Sequence, residues 1–252
     1  MRRLENLLEN VEVLDKRAYF TISSSGKINR KKMNLAIPAA AFVANEETFQ
    51  EALVESIDKK ERVNMKPIDR LTNISLEDLK ENFIKLMMNG NLEFSKKYGK
   101  ELALRDRKEF YRVLFTFSLM DNMSTLKPLM ALGAKQILGE TYWDDSIGYL
   151  VISYFTKQRA DFSQLEELEE TENNSKDELV REILESKDLL INREGLELIS
   201  YLCILKEFDY ENDSTFISIA KKKLEVLKNK KVFIELTKVE KEIFESLFLK
   251  EE

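Results

Sequence analysis

The chain contains no histidine, and that absence removes more chemistry than any residue present supplies. Ser-His-Asp and Cys-His nucleophilic sites, His-ligated zinc or haem, and the commonest general base all need the imidazole ring. A catalyst built from this sequence would rely on carboxylates, Lys, Tyr or a bound cofactor, and no metal-ligand or cofactor motif is expected. Cysteine is nearly as scarce. Cys203 stands alone, so no internal disulfide is expected and a reducing, cytoplasmic compartment is the simplest reading. Three prolines and seven glycines leave little turn chemistry for a many-stranded sheet. No apolar run approaches the roughly 18 residues of a membrane span. The N-terminal MRRLENLLENVEVLDK has glutamates where a signal peptide needs its apolar stretch.

Leu, Lys and Glu are abundant, as long helices favour. Charged residues make up 34% of the chain with signs mixed, and the formal net charge is −6. That balance disfavours nucleic acid or an anionic membrane as the main partner. With 252 residues, the chain can bury roughly three quarters of its unfolded surface, so neither metal nor disulfide is required.

Apolar spacing and capping signals predict an all-α fold: an irregular helical array or an α-solenoid of antiparallel helix pairs, read as a single domain over 1–252. Three sub-regions are expected: an N-terminal segment to residue 70, central helices at 71–160, and C-terminal helices at 176–252. An acidic loop at 164–175 separates the last two. A small β-hairpin is expected near AYFTI, turning at Ser23-Ser24-Ser25-Gly26. Helix starts are predicted at Asn45, Ser75, Ser124, Ser175, Asn192 and Thr237, with a stop at Asn89-Gly90. Three apolar stripes follow: Phe49, Leu53 and Ile57; then Phe94, Tyr98 and Leu102; then Ile147, Leu150, Val151, Tyr154 and Phe155. The stretch Arg107–Lys157 is the predicted centre. Between Phe110 and Met120 only Arg112, Thr116 and Ser118 interrupt the apolar residues, so that helix should be covered on several sides.

Several motifs fail on inspection. Ser23-Ser24-Ser25-Gly26-Lys27 has Thr21 where a phosphate-binding loop needs its first glycine, and Ile28 where it needs Ser or Thr. Asp209, Glu211 and Asp213 open like a calcium loop, but Ser214 replaces the turn glycine and Ala220 the bidentate acid. Cys203 lies on an apolar face with no partner to lower its pKa and reads as a core residue. Lys221-Lys222-Lys223 reads as a solvated face. The acidic run Glu166, Glu167, Glu169, Glu170 and Glu172 reads as a solvated linker, with docking of a basic partner as the runner-up.

Two features retain a functional reading. The basic segment 16–37, with Tyr19 and Phe20 interleaved, makes Lys27, Arg30, Lys31 and Lys32 the candidate phosphate-binding residues. The cluster Tyr142, Trp143, Asp144 and Asp145, with Tyr149 a turn later, is the candidate partner-binding patch. Trp and Tyr are common interface anchors, and adjacent acids suit Arg or Lys across an interface. Weighed against this, and favoured over it, Trp143 fits as a core residue at a helix start, with both acids favourable to the helix dipole.

The segment LALRDRKEFYRVLFTFSLMDNMSTLKPLMALG, with YWDDSIGYLVISYF and RADFSQL after it, resembles the helical immunity proteins of bacterial toxin systems. The matching positions are Phe110, Leu114, Asp121, Leu126, Leu129, Trp143, Asp144 and Asp145, within residues 102–165. The resemblance implies an all-helical fold and a stoichiometric role: blocking a secreted toxin's active site without performing chemistry, and the acids beside Trp143 would suit a basic toxin. The residues leave two other functions open. One is a regulator or scaffold touching nucleic acid through 16–37. The other is an enzyme that uses carboxylates or a cofactor.

Overall fold

Helix starts in this protein are set by short side chains that accept hydrogen bonds from otherwise unsatisfied backbone N–H groups. Asn45 accepts from Thr48 N, Ser75 from Asp78 N, Asp106 from Glu109 N and Asn192 from Gly195 N. Ser175 with Glu178 forms a reciprocal capping box, and Thr237 with Glu240 does the same. The computed structural model describes residues 2–15, 20–22, 28–30, 33–57, 71–166 and 175–248. Among them are thirteen α-helices: α1 Arg2–Asn10, α2 Ala36–Phe42, α3 Glu46–Glu55, α4 Leu76–Met88, α5 Leu92–Arg105, α6 Arg107–Met120, α7 Lys127–Leu138, α8 Asp145–Lys157, α9 Ser163–Glu166, α10 Lys176–Glu185, α11 Arg193–Glu207, α12 Asp213–Asn229 and α13 Lys238–Phe248. A short antiparallel pair, β1 Phe20–Ile22 with β2 Ile28–Arg30, places Ile22 opposite Ile28. No described helix is long and apolar enough to cross a membrane.

The helices form a closed, packed array. In a solenoid each unit touches only its sequence neighbours. Here α2 packs on α7 and α13, and α11 packs on α6, α7, α12 and α13. The array therefore closes the N-terminal helices onto the C-terminal ones, which excludes the solenoid option. One continuous apolar cluster runs from Leu7 to Phe248.

The predicted centre is correct but incomplete. Helix α6 begins and ends where its sequence suggests and buries Phe110, Tyr111, Val113, Leu114, Phe115, Phe117 and Leu119. Helix α11 is buried at every position from Gly195 to Leu205, because neighbours cover it on all sides. It shares the centre with α6–α8.

Other expectations shift locally. Ser124 does not cap α7; it lies in a 3-10 turn, Met123–Thr125, that Asn122 caps instead. Leu126 then takes a left-handed conformation (φ 54°) and α7 starts at Lys127. In α5 the buried side is Ser95, Gly99, Leu102 and Ala103, whereas Phe94 is exposed. Ile57 falls beyond α3 and bridges Leu14. The predicted loop 164–175 opens as the short helix α9 through Glu166, and residues 167–174 lie outside the described residues.

Candidate functional site

The Trp143 corner is a junction of α5, α6 and α8 in which nearly every polar and aromatic surface has an internal partner. Asp144 caps α8, its Oδ1 accepting from Ser146 N at 2.8 Å and Ile147 N at 3.1 Å. Trp143 Nε1 donates to Asp145 Oδ1 at 2.7 Å, and Lys100 Nζ donates to Asp145 Oδ2 at 2.6 Å. The Arg107 guanidinium lies 5.0 Å from the centre of the indole, and Phe110 meets it edge-on at 5.5 Å. Gly148 lets the indole lie against α8: a Cβ there would sit 2.2 Å from two of its ring atoms. Tyr149 is buried, and burial, with the Asp145 charge a lesser cause, pushes its phenol up to about 12. Of the five candidates only Tyr142, 43% exposed, presents a large side chain outward. The other four are held by contacts within the fold.

Two ionisable groups sit deeper. Lys127 and Asp121 are both fully buried and paired. The ammonium also donates to Gln158 O at 3.2 Å and faces the rings of Phe117 and Phe155. Asp121 Oδ1 takes backbone N–H bonds from Asn122 at 2.8 Å and Asp161 at 2.7 Å. Burial lowers the Lys127 pKa, and Asp121 only partly offsets it. This knot fastens the α6–α7 link to the end of α8. On α11, burial raises Glu197 to about 7, against the attraction of Lys223 at 3.5 Å.

A surface that the sequence motifs did not mark lies between α3 and the segment leading into α13. Both walls are anchored. Arg3 donates to Glu46 at 2.8 Å and to Ala44 O at 2.7 Å, fixing the start of α3. Thr48 Oγ1 donates to Glu242 Oε1 at 2.7 Å, tying α3 to α13. Across the gap Arg193 N donates to Ile234 O at 3.0 Å, and the Arg193 side chain pairs with buried Glu240 at 2.8 Å. Between these walls runs an open groove of about 920 Å³ with Leu35, Ala52, Val54, Ile234 and Val239 along it and Glu47 and Glu51 at its rim. Val54 is 66% exposed, and Val232, in the same segment, 77%. The legible signal for this surface was the row Glu47, Glu51 and Glu55, acids at helical spacing with no lysine between them.

A smaller pocket of about 530 Å³ adjoins Cys203, between α7 and α11, with Lys135 and Glu207 paired at its edge. Among the described residues no three Asp, Glu or Cys side chains group so as to hold a metal ion. Of the candidate phosphate-binding residues, Lys27, Lys31 and Lys32 lie outside the described residues, as do Glu167, Glu169, Glu170 and Glu172. Arg30 is described only as backbone in β2. Compared with protein-family models, curated proteins and solved structures, the chain matches none.

Proposed function

We propose that this chain is a non-enzymatic, cytoplasmic helical protein that acts by binding another protein, as an immunity-type inhibitor of a toxin. The observation carrying the reading is the groove beside α3. It is open, lined by exposed Val54 and Ile234, and rimmed by acids. Exposed apolar side chains within a polar rim are the usual composition of a protein-binding surface. The Trp143 corner supports the reading less than its composition promised, because its acids and its indole are engaged inside the fold. Tyr142 remains its one outward anchor.

The test is growth. Cells expressing the product of the gene beside this one are grown with and without this chain, and the two proteins are mixed for size-exclusion chromatography. Rescue of growth together with a stoichiometric complex is the expected result. Absence of any complex, with growth unrelieved, removes the reading.

A further inference from the structure

The bare face of α3 and its charges specify what kind of partner surface fits. Helix α3 buries Thr48, Phe49, Ala52 and Leu53 and leaves Glu47, Glu51, Val54 and Glu55 exposed. Glu47, Glu51 and Glu55 stand at i, i+4 and i+8, a ridge about 12 Å long at 1.5 Å per residue. Val54 stands beside that ridge and, with Ile234, lines the groove.

On α4 and α5, exposed acids stand one turn from lysines and pair with them. Glu81 pairs with Lys85 at 2.8 Å, and Glu93 pairs with Lys97 at 2.9 Å, each at i, i+4. At the same spacing, Glu47 meets Glu51 and Glu51 meets Glu55, and like charges so placed destabilise a helix. Glu55 also falls in the last turn, where the helix dipole disfavours an acid. Neither Glu47 nor Glu51 has an ion pair among the described residues. On the opposite wall Arg193 and Glu240 neutralise one another, leaving Lys238 as the groove's other lining cation. The groove therefore combines an apolar floor with a net negative rim.

We infer that this groove receives an amphipathic helix of the partner protein, bearing Lys or Arg on one flank and aliphatic side chains on its buried face. The inference rests on the protein-binding reading above and names the partner's chemistry. Cations one turn apart on the incoming helix match the spacing of Glu47 and Glu51, and its aliphatic residues cover Val54, Ile234 and Leu35, the helix-in-groove mode of recognition. Complementary charge speeds encounter and fixes orientation, while the apolar contact holds the complex.

The experiment uses the full chain and a fluorescein-labelled synthetic Leu/Lys amphipathic helical peptide, read by anisotropy, with its Leu/Glu counterpart as the control. Binding of the Lys peptide alone is expected, weakening as salt rises. Glu47→Lys/Glu51→Lys and, separately, Val54→Asp should each weaken it tenfold or more. Glu211→Lys/Glu225→Lys, a charge reversal of equal size elsewhere on the surface, should leave affinity within twofold. Circular dichroism checks that every variant is folded. No binding of the Lys peptide, or binding unaffected by the groove variants, overturns the inference. A concentration-dependent dimer abolished by Val54→Asp would assign the groove to a second copy and overturn it too. If the neighbouring gene's product binds wild type and groove variants equally, the groove assignment fails while the protein-binding reading stands.

Discussion

The Trp143 corner and the α3 groove are built from the same materials, acids beside large apolar side chains, and they come to opposite ends. At the corner, Asp144 and Asp145 are used by backbone N–H groups, by Lys100 and by the indole itself. At the groove, Glu47 and Glu51 have no ion pair among the described residues, and Val54 is 66% exposed. Composition alone does not separate an internal junction from an external surface. What separates them is whether the acids and apolar groups already have partners inside the fold.

The largest effect that would sharpen this contrast belongs to the interior. Asp121→Ala leaves the Lys127 ammonium fully buried without its counter-charge, and a loss of about 3–5 kcal/mol is expected in urea unfolding. Lys127→Met/Asp121→Asn should recover much of it, because no charge is then stranded and the Asn Oδ1 keeps the two backbone bonds that Asp121 accepts.

Glu197 gives the next effect, through pH. Burial raises its pKa from 4.5 to about 7 in the folded protein, so the native state keeps a proton that the unfolded chain has released. The associated stability is fully present below about pH 4.5 and is lost as pH climbs through about 7, up to roughly 3 kcal/mol. Denaturant unfolding at pH 5 and pH 8 should show wild type losing ground to Glu197→Gln as pH rises. A pH-independent difference would mean that Lys223 holds the carboxylate ionised.

Smaller still is the effect at the corner. Gly148→Ala forces a methyl against the Trp143 ring and should cost about 1–3 kcal/mol. In a Trp143→Ala background the same change should be neutral or stabilising, by up to roughly 1 kcal/mol of helix propensity. A double-mutant cycle with no coupling would break the account of Trp143 as an internal residue. The groove marks the lower end of the scale. Glu47→Lys, which loses only a favourable charge in the first turn of α3, should cost no more than about 1 kcal/mol, and Val54→Ser no more than about 0.5 kcal/mol. A large destabilisation by either would turn the groove into another internal junction.

Much of the fold was legible because helix starts are local events. Ser75, Asn192 and Thr237 cap within three residues of themselves, so a window of sequence contains the whole interaction. Ser124 misled for the same reason. It has the right chemistry, but Asn122 closes a 3-10 turn just upstream and Leu126 takes a left-handed conformation, so α7 begins late. The candidate patch was legible as a cluster and illegible as a site. Its internal partners Lys100, Arg107 and Phe110 come from other helices, and no periodicity announces them.

By itself, then, the sequence determined the helical class, most helix starts and the apolar face of α6. Each depends on side chains meeting backbone or neighbours within a few residues. Only the tertiary structure decided that α2 closes onto α7 and α13, that α11 shares the centre, that Asp121 and Lys127 meet in the dark, and that one face of α3 stays uncovered. Those outcomes depend on which helices arrive from far along the chain, and burial is settled by the whole array rather than by any stretch within it.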